Sequence, residues 1–191
     1  MAPTTIGERY VAAVESFVEL AREFDDDDWG RRVPCTPAWT ARDVLSHVAG
    51  IPDDAAAGRL DGVATEAWTA AQVERNRPLS VEELLDRWLA QTPRFAEMIT
   101  VAGQVRPPID CHAHEHDVRH ALGRPGNRNS PVIEDVWRDL ARFDGLPVQV
   151  VVETTDARRV ESGSGTASVA LAGITPFELF RSRLGRRSRS Q

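Results

Sequence analysis

At 191 residues, with 41% hydrophobic and 27% charged side chains, the chain has the composition of a globular protein with room for one good-sized domain or a domain plus a small annex, and it is too apolar to be disordered throughout. All 23 basic residues are arginine, which excludes Schiff-base lysine chemistry and the phosphate-binding lysine loop. A net charge of −6, no apolar run near ~18 residues and no basic-then-apolar leader in the first ten residues predict a cytoplasmic protein without nucleic-acid or membrane partners.

Thr5-x-x-Glu8 predicts a capping box ahead of Tyr10, Val14, Phe17, Ala21 and Phe24, whose 4-3-4-3 spacing is the stripe of a core-facing helix. The acidic run at 25–28 ends that helix near Phe24, because negative charge opposes a helix C-terminus. After a loop with Pro34 and Pro37, Thr40 and Asp43 predict a second capping box, with Trp39 stapled onto Val44 and with Val44, His47, Val48 and Ile51 facing inward. Pro52 predicts a kink or an end, with a short continuation to Leu60. A short helix over 66–75 precedes Ser80 and Glu83, which cap a long helix burying Leu84, Trp88, Phe95 and Ile99, kinked at Pro93. Pro107 and Pro108 open a fourth long helix over 109–122, stopped by Gly123 and Pro125. A fifth begins at Ser130-Pro131 and presents Val136, Leu140 and Phe143.

From Pro147 the pattern becomes strand-like over 148–154 and 167–172, with a Gly/Ser-rich turn between, and Thr175 caps a last helix running into Arg181. The expected organisation is mainly α: a bundle over residues 1–145 and a small α/β annex over 146–191. Arg181, Arg183, Arg186, Arg187 and Arg189 form an arginine-rich tail, read as a solvated end. Cys35 and Cys111 are too few for a disulfide framework and too far apart for a Cys-x-x-Cys motif.

Four of the five histidines fall between Asp110 and His120. On a helix Asp110 and His114 share a face, while His112, His116 and His120 form a separate row. A catalytic divalent ion needs three protein ligands and an open position, so the second helix must supply one, and His47 stands on its inward side. Set against that is a core histidine bonded to a carbonyl, and, for the row His112, His116 and His120, a solvated helix face with Glu115 and Arg119 interleaved. Spacing alone leaves the two rows open.

The stretch Trp39-Thr40-Ala41-Arg42-Asp43-Val44-Leu45-Ser46-His47-Val48-Ala49-Gly50 resembles the Trp-Thr-x-x-Asp-Val-x-x-His-x-x-Gly helix of the mycothiol-dependent maleylpyruvate isomerase N-terminal domains, part of the DinB-like group of metal-binding four-helix bundles. Asp110 to Pro125 is similar to that family's acid-x-x-x-His-x-x-Asp-Ile-Arg-x-Ala-Leu-Gly-x-Pro, and Phe177 to Arg181 with Gly185 to Ser188 resembles the end of many members. The resemblance implies a DinB-like bundle with a small C-terminal α/β annex and metal ligands at His47, Asp110 and His114. The family's isomerase carries glutamate where Asp110 stands. By the same resemblance Asp117 and Arg119 tie helices together, while His116 and His120 are second-sphere or surface groups.

The chemistry implied is thiol-dependent. A divalent ion, zinc first and nickel as the alternative, takes a mycothiol-type low-molecular-weight thiol at its open position. The lowered thiol pKa then makes a nucleophile for a small electrophile, giving S-transfer or isomerisation. The contrasting reading is a non-catalytic module whose metal staples helices, favoured if Cys35 or Cys111 closes the coordination sphere. A homodimer is compatible with either.

Overall fold

The computed structural model describes residues 5–186, which divide into one unit ending at Asn127 and a second beginning at Arg128. Eight helices and five strands are found among the described residues. None of these helices is long and apolar enough to cross a membrane.

In the first unit, α1 (Ile6–Ala21), α3 (Ala41–Ala56), α5 (Val81–Val101) and α6 (Arg106–Leu122) are the bundle helices. Packing closes a ring, α1 on α5, α5 on α3, α3 on α6 and α6 on α1. The described residues form a four-helix bundle, as the capping pattern implied, with a small C-terminal α/β annex, the DinB-like architecture that the resemblance implied. Capping boxes start three of the four helices, with Thr5 and Glu8, Thr40 and Asp43, and Ser80 and Glu83 each exchanging side-chain and backbone bonds. Each satisfies donors that the first turn would otherwise leave without partners.

The aromatic stripes meet in the ring's interior. The Trp88 indole donates to the Tyr10 hydroxyl at 2.9 Å, Phe17 lies edge-on to Trp88 at 5.7 Å, and Tyr10 edge-on to Phe95 at 5.0 Å. Burying a side chain of this size contributes about 1.5–3 kcal/mol, so this layer is a main source of bundle stability.

Several local expectations are corrected. The acidic run does more than end α1: Asp25 caps a short α2 (Asp26–Gly30), where negative charge sits at a helix N-terminus and is favourable. The loop after it is a hairpin of β1 (Arg32–Val33) and β2 (Thr36–Thr40), and β2 runs straight into the cap of α3. Pro52, expected to kink or end its helix, lies inside α3, which continues to Ala56. The turn after Pro52 is held from outside, since Asp53 accepts from Gln91 at 2.6 Å and pairs with Arg87 at 2.9 Å, while Asp54 is held by three further side chains.

α4 (Glu66–Asn76) lies against α3. Arg42 donates to the carbonyls of Asn76, Arg77 and Leu79 at the C-terminus of α4, and the Asn76 amide donates to the Ser46 carbonyl at 2.8 Å.

The second unit holds α7 (Pro131–Leu140), β3 (Gln149–Thr154), β4 (Arg159–Gly163), β5 (Ser168–Ile174) and α8 (Pro176–Arg183). Trp137, Ala141, Val150, Val152, Val160 and Leu179 share one apolar cluster. α7 thus groups with the sheet, and the division falls after Asn127 rather than at the expected 145. Its buried face is Val132, Ile133 and Trp137, while Val136 and Leu140, expected to be innermost, are only partly covered.

The order β4-β3-β5 puts β3 antiparallel to β4 and parallel to β5, with β4 unforeseen in the sequence. To reach the far side of β3, the link from β4 to β5 passes against the chain entering β3. A Cβ on Gly163 (φ +81°) would stand 2.2 Å from the Val148 carbonyl oxygen, so this crossing demands glycine. Of the tail arginines expected in solvent, Arg181 is instead 1% exposed, whereas Arg183 is exposed with its guanidinium 4.5 Å from the Phe143 ring. Arg187 and Arg189 lie outside the described residues.

Candidate metal centre

α6 departs most from the ordinary amphipathic pattern. Cys111 to Val118 are all buried, including three histidines, Glu115 and Asp117, because the helix is embraced by α1, α3 and β1. A polar helix in that position is stable only if its groups find partners.

On one face, His47, Asp110 and His114 converge, each offering a ligand atom within 4.8 Å of the other two. His47 Nε2 stands 3.4 Å from Asp110 Oδ2, and His114 Nε2 stands 3.6 Å from Asp110 Oδ1. Those separations exceed an N–H···O hydrogen bond. Each is near the spacing of about 3.3 Å between two donors around a tetrahedral zinc ion with bonds near 2.05 Å, with a different carboxylate oxygen facing each imidazole. The donor set, two imidazoles and a carboxylate, is also that of catalytic zinc. His47 and His114 are buried, and the Asp110 side chain is 41% exposed, so the centre meets solvent on the aspartate side.

The remaining imidazole nitrogens are also placed. His47 Nδ1 lies 2.6 Å from Gln72 Oε1, and His114 Nδ1 lies 3.3 Å from Asp117 Oδ2. Outer partners of this kind fix the ring orientation of metal-binding histidines. Two half-buried indoles flank the centre: Trp39, delivered by β2, lies 5.3 Å from the His47 ring and 6.2 Å from His114, and Trp68 of α4 lies edge-on to His47 at 6.2 Å.

Gln72 and Asp54 had no mark in the sequence, since a glutamine on a short polar helix and an acid after a proline both read as surface. The signal available in retrospect is Gly50. A Cβ there would stand 3.0 Å from Gln72 Cβ, so glycine one turn beyond His47 lets α4 approach and seat Gln72.

On the other face of α6 the expected solvated row is corrected. His112 and His116 are buried with ring centroids 4.6 Å apart, and only His120 is exposed. Glu115 explains their burial. It accepts from Ser16 of α1 at 2.9 Å, from Arg119 at 2.7 Å and from Asn127, with His112 Nδ1 at 3.5 Å. Arg119, expected to tie helices together, holds Glu115 from one turn away, and Glu115 in turn bonds α1 through Ser16. Asp117, expected to share that role, is fully buried beside His114.

Among the described residues neither cysteine joins the His47, Asp110, His114 group. Cys111 is buried, and burial, with Glu115 and Asp110 nearby, pushes its thiol well above the ordinary range. It is not a thiolate at neutral pH.

A sequence profile described as the mycothiol maleylpyruvate isomerase N-terminal domain matches residues 10–109, a span that includes His47 and stops one residue before Asp110. A solved structure titled as the crystal structure of the mycothiol-dependent maleylpyruvate isomerase superposes with a TM-score of 0.59 at 13% identity, covering 97% of this chain and 91% of that one. No curated protein matches the chain.

Proposed function

The chain belongs to the mycothiol maleylpyruvate isomerase N-terminal domain family, and from that membership we propose that it holds a divalent ion through His47, Asp110 and His114 and there activates a mycothiol-type thiol toward a small electrophile. The carrying observation is the spacing of 3.4 and 3.6 Å between the aspartate oxygens and the two imidazoles. Zinc fits the donor set best, with nickel second.

A bound divalent ion supplies a Lewis acid that lowers the pKa of a coordinated thiol toward neutrality. The protein's part is the rest. His47 and His114 present neutral nitrogens, and Asp110 adds one negative charge. That leaves coordination room for a thiol in a three-ligand site. Trp39 and Trp68 cover the imidazoles and limit water. Asp110, the most exposed of the three, borders the side from which a thiol and its electrophile would enter. The reaction class is S-transfer or maleylpyruvate-isomerase-like addition and elimination.

Zinc titration by calorimetry into the metal-free protein tests the assignment. His47→Ala is expected to remove most binding and His120→Ala, on the exposed position, to leave it intact. Mycothiol is then expected to bind the zinc-loaded protein and not the His47→Ala variant. Full zinc affinity in His47→Ala would overturn the ligand assignment, and zinc binding with no thiol binding would leave only a structural ion.

A further inference from the structure

We infer that Gln72, oriented by Asp54, is a positioning residue that sets the tautomer of His47 and aims its Nε2 lone pair at the position shared with Asp110 and His114; this rests on the ligand assignment just given.

The polar chain runs inward from Arg59 and Arg75 through Asp54 and Gln72 to His47. A glutamine amide has an accepting oxygen and a donating nitrogen of nearly the same shape, so either could face His47. The far end of the side chain decides. Gln72 Nε2 lies 2.8 Å from Asp54 Oδ2, and a carboxylate only accepts, so the amide nitrogen must point there. Asp54 is itself fixed, because Arg59 Nε at 2.7 Å and Arg75 both donate to its other oxygen. Asp54 is 1% exposed and Gln72 is 0% exposed, so water does not offer a substitute partner.

With the amide oriented, Oε1 faces His47 Nδ1 at 2.6 Å. An amide oxygen cannot donate, so the proton of a neutral His47 sits on Nδ1 and the lone pair on Nε2. The relay is needed because Asp110 works against it. In the metal-free protein Asp110 Oδ2 is 3.4 Å from Nε2 and would draw the proton onto that nitrogen, blocking coordination. Gln72 opposes that pull from the other side of the ring.

The test is made on the full chain without metal, labelled with 15N-histidine and held at about pH 8, above the ordinary imidazole range. Two-bond 15N–1H correlation reads the tautomer of each ring, and comparison with His47→Gln assigns the His47 signals. His47 is expected as the Nδ1–H form. Gln72→Met and Asp54→Asn are expected to move it toward Nε2–H, with His120 unchanged, and to weaken zinc binding about 10–100-fold. Gln72→Met keeps Asp54 and both arginines, so it carries the test if Asp54→Asn does not fold. A wild-type Nε2–H form, or a Gln72→Met tautomer identical to wild type, overturns the relay. Undiminished zinc affinity in variants whose tautomer has changed overturns its role toward the ion. If the wild-type protein binds no zinc, the ligand assignment falls, while the tautomer comparison still decides what Gln72 does.

Discussion

Burial works to raise the Glu115 carboxyl, but hydrogen bonds from His112 and Arg119, with the charges of His112 and His116, outweigh it and hold the group at about 2. Compared with the ordinary value of 4.5, the folded protein resists protonation more than the unfolded chain does. Glu115 therefore contributes stability that is fully present above the ordinary value and is lost as pH falls through the folded one. The shift corresponds to about 3 kcal/mol. Glu115→Gln is expected to lower the stability of the metal-free protein near neutral pH by up to that amount and to flatten its acid limb. Denaturant midpoints measured down the acid limb check this, and parallel limbs in the two proteins would count against it. At this scale the convergence of His47, Asp110 and His114 was readable once two motifs were joined. His112 and His116 were misplaced because a polar row was equated with a solvated one, when Glu115, Ser16 and Asn127 supply from elsewhere in the chain what water would have supplied.

At the level of elements, capping was the most legible feature, because Thr5 with Glu8, Thr40 with Asp43 and Ser80 with Glu83 act within a single turn and need no tertiary partner. What depended on distant partners was not legible. α3 continues past Pro52 because side chains of α4 and α5 hold the turn beyond it, and β4 forms because β3 offers it an edge. The contact of α3 with α4 yields its own prediction. Gly50→Ala would place a methyl 3.0 Å from Gln72 Cβ and 3.3 Å from the Asn76 amide, so α4 must shift outward. We expect a loss of about 1–3 kcal/mol in thermal or denaturant unfolding, the usual range for overpacking. Zinc affinity should fall with it, since the shift withdraws Gln72 from His47. An unchanged affinity in a destabilised Gly50→Ala protein would show that α4 serves stability alone.

Across the whole molecule, the acidic balance and the engaged arginines act together. Net charge is −6, Arg181 is buried and Arg183 lies over the Phe143 ring, so the C-terminal arginines do not make a continuous basic strip among the described residues. The protein is expected to show no measurable affinity for duplex DNA at physiological ionic strength, and fluorescence anisotropy of a labelled duplex checks it. The division into two units was misjudged by the length of one helix, because the apolar residues of α7 look the same whether they face a bundle or a sheet. Of the five tryptophans, Trp29, Trp88 and Trp137 are buried, whereas Trp39 and Trp68 are partly open, and both of these face His47. Ultraviolet emission is thereby sorted by location. A small aqueous quencher reaches the two indoles beside the centre and spares the other three, so the accessible part of the signal reports on a single place in the protein. An ion or thiol arriving there is expected to change that part of the emission without any attached dye, so that binding at the centre would be followed in real time in the unmodified chain.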